Sequence, residues 1–273
     1  MIMARSVDEI YNALVAEKQG HSELDVLNNT SVTSIWRLIL YVVAYAINVL
    51  ETLWDAYKSE VNTKIEAMTP HRAKWYRDKV LLFMTDMTLM PDRDEYDTTG
   101  MTEDDIAAKR VIKHATADES GQSSLLMIKV AGENAEGKRV PLSAEVDVQL
   151  TAYINEIKDA GVRYKLINKQ ADKYRCEVDV YYNPTVSDTL VKQMCEDAIK
   201  SYIANLPFNG VYSNMEMINQ LEKIDAVKVA EVKSASSADA DTGTYVDINA
   251  IVQPMAGYFE ADDIVINMIP YTL

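Results

Sequence analysis

Glu177 and Asp179 are the pair whose chemistry is easiest to imagine. They stand two residues apart in Tyr174–Tyr182 (YRCEVDVYY), and two carboxylates on one face of a strand can hold a hard divalent cation for nucleotidyl transfer. No Gly-Ser loop precedes them at a helix start to cradle a phosphate, so the pair fits better the solvated side of an alternating strand. Asp92, Asp94 and Asp97 resemble a calcium loop only superficially, since the turn glycine and the closing glutamate are missing. His21, His71 and His114 are scattered, with no zinc-binding or nucleophile-base spacing among them. No phosphate-binding loop or dinucleotide fingerprint is found. The basic residues between Arg72 and Lys79 are interrupted by Asp78 and suit a partner helix with acidic edges as well as a phosphate. The chain is therefore expected to be non-enzymatic, with no metal, cofactor or small-molecule substrate.

The elements that would carry these residues are legible from periodicity. Trp36, Leu40, Val43, Ile47, Leu50, Trp54, Tyr57 and Val61 follow each other at steps of four and three, the seam of a helix packed along its length. Ile35, Ile39, Val42, Ala46, Val49, Leu53 and Ala56 repeat the pattern one residue earlier, and Arg37, Tyr41, Tyr45, Asn48, Glu51, Asp55 and Lys58 take the remaining side. A helix from Ser31 to Met68 would be roughly 57 Å long. Its most apolar part, Ile35–Leu50, falls short of the about 20 residues that a membrane span requires and contains Arg37 and Asn48, so no membrane insertion is expected. A short capped helix (Ser6–Lys18) precedes it, and another (Pro70–Thr85, capped by Thr69) follows and carries Trp75. Two short helices cannot hide both seams, and exposed apolar surface of that extent marks a partner. The expected assembly interface is Trp36, Leu40, Val43, Ile47, Leu50, Trp54, Tyr57 and Trp75.

Residues 1–90 are thus expected to be a helical arm, 91–100 (PDRDEYDTTG) a linker and 101–273 an α+β domain with mostly antiparallel strands, with subdomains 101–161 and 162–273. Within it, Val111–Thr116 and Leu125–Ala131 read as strands joined through Ser120-Gly121, Ser143–Ala160 as a helix closed by Gly161, and Val162–Ile167 with Tyr174–Tyr182 as a hairpin. A helix over Ser187–Asn205, a short one over Asn214–Glu222, strands at Ala226–Val232 and Tyr245–Val252 around a polar loop (Ser234–Gly243), and a last strand at Asp263–Ile269 complete the domain.

The chain has 273 residues and a net charge of −15. Residues 1–90 hold 11 acids and 9 bases, leaving 31 acids and 18 bases, a net −13, for 91–273. Such a surface repels phosphate backbones, which argues against nucleic-acid binding there. Cys176 and Cys195 lie on apolar faces with no C-x-x-C spacing, so both read as reduced core residues.

Two segments carry a resemblance. YIANLPFNGVYSNMEMINQLEKIDAVKVAEV (Tyr202–Val232), followed after a polar loop by TYVDINAIVQPMAGYFEADDIVINMIPY (Thr244–Tyr271), resembles the baseplate J-like family of phage tail baseplate wedge proteins. The likeness covers Val162–Leu273: a helix and break, a short helix (Asn214–Glu222), a strand entered at Asp225-Ala226-Val227 where the family has a turn glycine, and Gly257-Tyr258-Phe259 before a final apolar strand. The resemblance implies a virion component assembled in the host cytoplasm, built into a tail baseplate through an intermolecular helical bundle and ring-forming α/β domains. Its partners would be further copies of itself and other baseplate or tail proteins. A tail connector or completion protein, a nucleotidyltransferase-like enzyme using Glu177 and Asp179, and a membrane adaptor using Ile35–Leu50 are the alternatives.

Overall fold

In a computed structural model describing residues 4–68, 70–91, 93–119 and 124–272, the chain forms two compact units, Met1–Pro70 and His71–Leu273. The fold is α+β: a long N-terminal helix followed by sheet domains.

The first unit is a helical hairpin. α1 (Val7–Gln19) begins with a reciprocal capping box between Ser6 and Glu9, as the spacing predicts. α2 (Ile35–Met68) has 34 residues, or about 51 Å at the α-helical rise. It starts a turn later than Asn29–Ser31, because Ser31 and Thr33 close local turns with Asn29 and each other. The expected cap Thr69 lies outside the described residues.

The second unit contains two sheets. In the first, β2 (Leu126–Glu133) lies between β1 (His114–Glu119) and β4 (Tyr164–Ile167), antiparallel to the former and parallel to the latter, with β3 (Arg139–Val140) at its end. The Ser120-Gly121 turn falls outside the described residues. Leu126, Ile128 and Val130 share a core with α3 (Ala73–Leu81) and α5 (Ala144–Ile157). Ser143 caps α5, which ends at Ile157 with Lys158 as its C-cap, so Gly161, expected to close the helix, adopts its left-handed φ of 89° in the turn beyond it. Between α3 and β1 in sequence, α4 (Glu103–Lys109) starts at a capping box of Thr102 and Asp105.

The second sheet has the order β10 (Phe259–Pro270), β5 (Asp172–Tyr182), β7 (Val227–Ala238), β8 (Tyr245–Asp247). On the inward side of β5, Tyr174, Cys176, Val178, Val180 and Tyr182 are buried, as their alternation predicts. They meet Val191, Cys195, Ile199 and Ile203 of α6 (Asp188–Asn205) and Met217 and Leu221 of α7 (Asn214–Leu221). Tyr174 and Tyr212 share a hydroxyl–hydroxyl bond of 2.7 Å inside this core. Both cysteines are free and buried, and burial pushes each thiol up to about 11. A two-stranded ribbon of β6 (Tyr212–Ser213) and β9 (Ile251–Val252) flanks α7.

Three expectations are corrected. Val162–Ile167 and Tyr174–Tyr182 are not a hairpin: β4 joins β2 while β5 joins β7 and β10, so the two strands belong to different sheets. The stretch Ser234–Gly243, expected as a polar loop, instead continues β7 as far as Ala238, with Ser234 and Ser236 opposite Glu177 and Arg175 while Ala235 is buried in the core opposite Cys176. The division of the chain lies near Pro70 and not at 91–100. Trp75, Tyr76, Val80 and Phe83 of the α3 region belong to the core of the second unit, and the supposed linker is anchored there by Leu89–Tyr96 bridging and by Tyr96 stacking on Tyr153.

The two sheets are joined across the far face of β2. Lys129, buried there, donates to Asn209 Oδ1 at 2.7 Å and to the Pro254 carbonyl at 2.6 Å. Asn209 Nδ2 in turn donates to Asp118 at 2.8 Å, and Asp172, also buried, accepts the amides of Met255 and Ala256. Burial lowers the Lys129 pKa, opposed by the charges of Asp172 and Asp118, and burial raises that of Asp172. Gly257 closes the junction at a φ of 93°, where a Cβ would come within 2.7 Å of Phe208.

Gly257→Ala is expected to cost about 1–3 kcal/mol through that strain and contact, read by urea denaturation. Lys129→Met is expected to cost about 1–3 kcal/mol at neutral pH by leaving Pro254 O and Asn209 unpaired. A buried ammonium with a lowered pKa binds fewer protons in the folded chain than in the unfolded one. Wild type should therefore gain stability relative to Lys129→Met as pH rises toward 10.5, checked by denaturation at a series of alkaline pH values.

Candidate assembly surface

α2 presents three adjacent stripes, and α1 covers the polar one. Arg37, Tyr41, Ala44, Asn48, Glu51 and Asp55 follow each other at steps of four and three, and the antiparallel α1 lies along them. The Arg5 guanidinium pairs with Glu51, the Ala4 amide donates to Asp55 at 2.7 Å, and Asn48 Nδ2 donates to the Arg5 carbonyl at 2.6 Å. Tyr11 meets Tyr41 edge-on, and Lys18 lies over the Trp36 ring. At the centre of the contact Ile10 and Ala44 are fully enclosed. Hydrogen bonding to Arg5 holds the Glu51 carboxyl below its ordinary range, and the same contact raises Arg5.

The apolar stripes are left to solvent. Ile35 is 78% exposed, Val42 66%, Leu50 64%, Leu53 63% and Ile39 57%. Of the residues expected at the interface, Val43, Leu50, Trp54 and Tyr57 are exposed, while Trp36, Leu40 and Ile47 are half covered at the border of the α1 contact. Trp75 is corrected: it belongs to the core of the other unit, is 8% exposed, and is overlaid by the exposed His71 ring with centroids 3.8 Å apart. The surface is thus centred about one residue step away from the expected seam, on Ile35, Ile39, Val42, Val49 and Leu53. The continuous polar stripe was the available signal, because a short helix with Arg5 ahead of it and a capping box at its start seeks that side. A cleft of about 560 Å³ beside Ala4 and Arg5 adds Leu50 and Trp54 as one wall. Among the described residues, Ile35–Ile65 is also the one helix long and apolar enough to cross a membrane.

The carboxylate pair occupies a different setting. β5 places Glu177 and Asp179 on the side of the sheet away from α6, where Asn267 Nδ2 of β10 donates to both, at 3.0 and 2.9 Å. Lys233 Nζ stands 3.5 Å from Asp179. An amide and an ammonium thus stand where a cation would have to bind. Among the described residues no three His, Cys, Asp or Glu side chains converge in a way that could hold a metal ion. Asp92 lies outside the described residues. The Asp97 carboxylate accepts the Thr99 amide, and Asp94 offers its carbonyl to Lys79. His21 sits 3.3 Å from Glu17, His71 lies 3.0 Å from Asp159, and His114 lies 2.9 Å from Glu133 against Phe208.

Because Asn267 and Lys233 already satisfy the two carboxylates, millimolar magnesium is expected to leave the amide resonances of β5 and β10 unmoved in an NMR titration. Movement centred on residues 177–179 would instead mark a cation site. No model of a known protein family matches this chain, and no curated protein matches it.

Proposed function

We propose that this protein is a structural assembly subunit, of the kind found as wedge components of phage tail baseplates. The observation that carries the reading is the apolar side of α2, which its own unit leaves uncovered because α1 is spent on the polar stripe. Each Leu, Ile or Val removed from water contributes roughly 1.5–3 kcal/mol, so a helical partner laid along Ile35–Leu53 would gain a large driving force. The four-and-three spacing favours a helix as that partner over lipid, which imposes no such period. The resemblance of Tyr202–Val232 and Thr244–Tyr271 to baseplate J-like proteins supports the specific assignment. The partners would then be copies of this chain and other baseplate or tail proteins, and its place would be the virion after assembly in the host cytoplasm. The role is architectural, without a cofactor.

A second reading, insertion of α2 into a bilayer, is favoured by the length and apolarity of Ile35–Ile65. Asp55, Lys58, Glu60 and Lys64 within that stretch oppose it.

Leu50→Asp and Leu53→Asp place charges on the exposed stripe, at side chains that are 64% and 63% exposed. Each is expected to abolish the assembly that runs through α2, lowering the largest species seen for the full chain in sedimentation velocity, while circular dichroism retains the signature of the folded second unit. An unsubstituted chain that stays monomeric and floats with liposomes would reverse the choice between the two readings.

A further inference from the structure

β10 is the edge of its sheet and is twelve residues long. β5 pairs with it on one side in parallel, and in such a ladder the amide and carbonyl of one residue point to the same side, alternating along the strand. The Tyr271 amide donates to the Tyr182 carbonyl at 2.8 Å, so the odd residues of the run 263–271 face β5. Ile264, Ile266 and Met268 therefore turn their backbone groups outward, and no hydrogen bond among the described residues reaches those groups. Pro270 has the same outward phase, which suits a residue without an amide proton.

An open edge of this kind is ordinarily protected by charge, proline or a bulge. Here the protection is confined to the ends. Glu260, Asp262 and Asp263 flank the irregularity between Ala261 and Asp263 at one end, and Pro270 stands at the other. The six residues between them, Ile264–Ile269 (IVINMI), carry no charge, proline or glycine, the composition that pairs most readily with another strand.

We propose that this edge pairs antiparallel with β10 of a second copy of the chain, about a two-fold axis through Ile266. The register follows from the residues. Outward-facing Ile264 and Met268 fall opposite each other's equivalents and Ile266 opposite itself, giving hydrogen-bonded pairs in an isologous contact. Val265 of each copy lies across from Asn267 of the other. Asp263 and Asp262 then face Ile269 and Pro270, so no acid meets an acid, whereas a parallel in-register pairing would set all three acids against themselves. The irregularity and Pro270 end the ladder on both sides. This contact deepens the architectural reading by naming a surface through which the sheet domain reaches its neighbour, and it does not involve α2.

The test uses the full chain carrying Leu50→Asp, so that association through α2 is removed. Sedimentation velocity over a range of concentrations is expected to show a monomer–dimer equilibrium. Hydrogen exchange followed by mass spectrometry should show slowing at residues 264–268 on dimerisation. Val265→Lys, at an exposed side chain, is expected to weaken the dimer by about tenfold or more while leaving the fold intact, and Met268→Pro should do the same by deleting an outward amide. A monomer at every concentration, protection of 264–268 already present in the monomer, or a dimer indifferent to Val265→Lys would each overturn the proposal. Failure of the α2 reading registers separately, as an unsubstituted chain whose assembly state equals that of Leu50→Asp.

Discussion

A 13-residue helix cannot cover a 34-residue one. At the α-helical rise α1 reaches about 20 Å along an α2 of about 51 Å. Where it does reach, charge and hydrogen bonding decide the side. Arg5, the Ala4 amide and the Arg5 carbonyl match Glu51, Asp55 and Asn48, and docking on an apolar stripe would have left those groups without these partners. Satisfying polar groups in the hairpin is therefore what leaves the aliphatic side of α2 facing water. The cost of that exposure is the physical reason for regarding the protein as a part of something larger.

The second unit follows the opposite logic and closes its cores upon itself. β2 is buried on both faces because α3 and α5 cover one side and the loops holding Asn209, Pro254 and Gly257 cover the other. Lys129 is the polar pin of that second interface. Its ammonium is desolvated but donates to two oxygens, and two carboxylates offset part of the burial cost. Removing one partner from such a group costs more than the bond itself contributes, so the junction locks the two sheets in one arrangement.

The second sheet is asymmetric. α6 and α7 take its inward face, whereas the outward face is built of interstrand pairs. Lys173 with Glu260, Arg175 with Asp262, and Asn267 with Glu177 and Asp179 tie β10 to β5. These cross-strand pairs hold β10 in register with β5, which is continuous beyond the irregularity at Ala261–Asp263. A strand fixed on one side and open on the other is a surface ready to be paired.

Local signals determined much of this architecture. The cap at Ser6, the four-and-three spacing of α2 and the alternation of β5 depend on neighbours a few residues away, and each appears as the sequence implies. What required the folded chain was pairing over distance. Adjacent strands 162–167 and 174–182 look like a hairpin until β2 and β7 compete for them, and hydrophobic pattern alone names no partner. Trp75 reads as an arm residue because apolarity does not say which core will take it, and the sequence gives Glu177 and Asp179 no partner, whereas in the fold Asn267 reaches both from a strand some ninety residues away. The sequence by itself determined which surfaces are apolar and which elements form. Only tertiary structure decided which surfaces the chain hides from water, because that depends on the reach of α1 and the order of strands in the sheets.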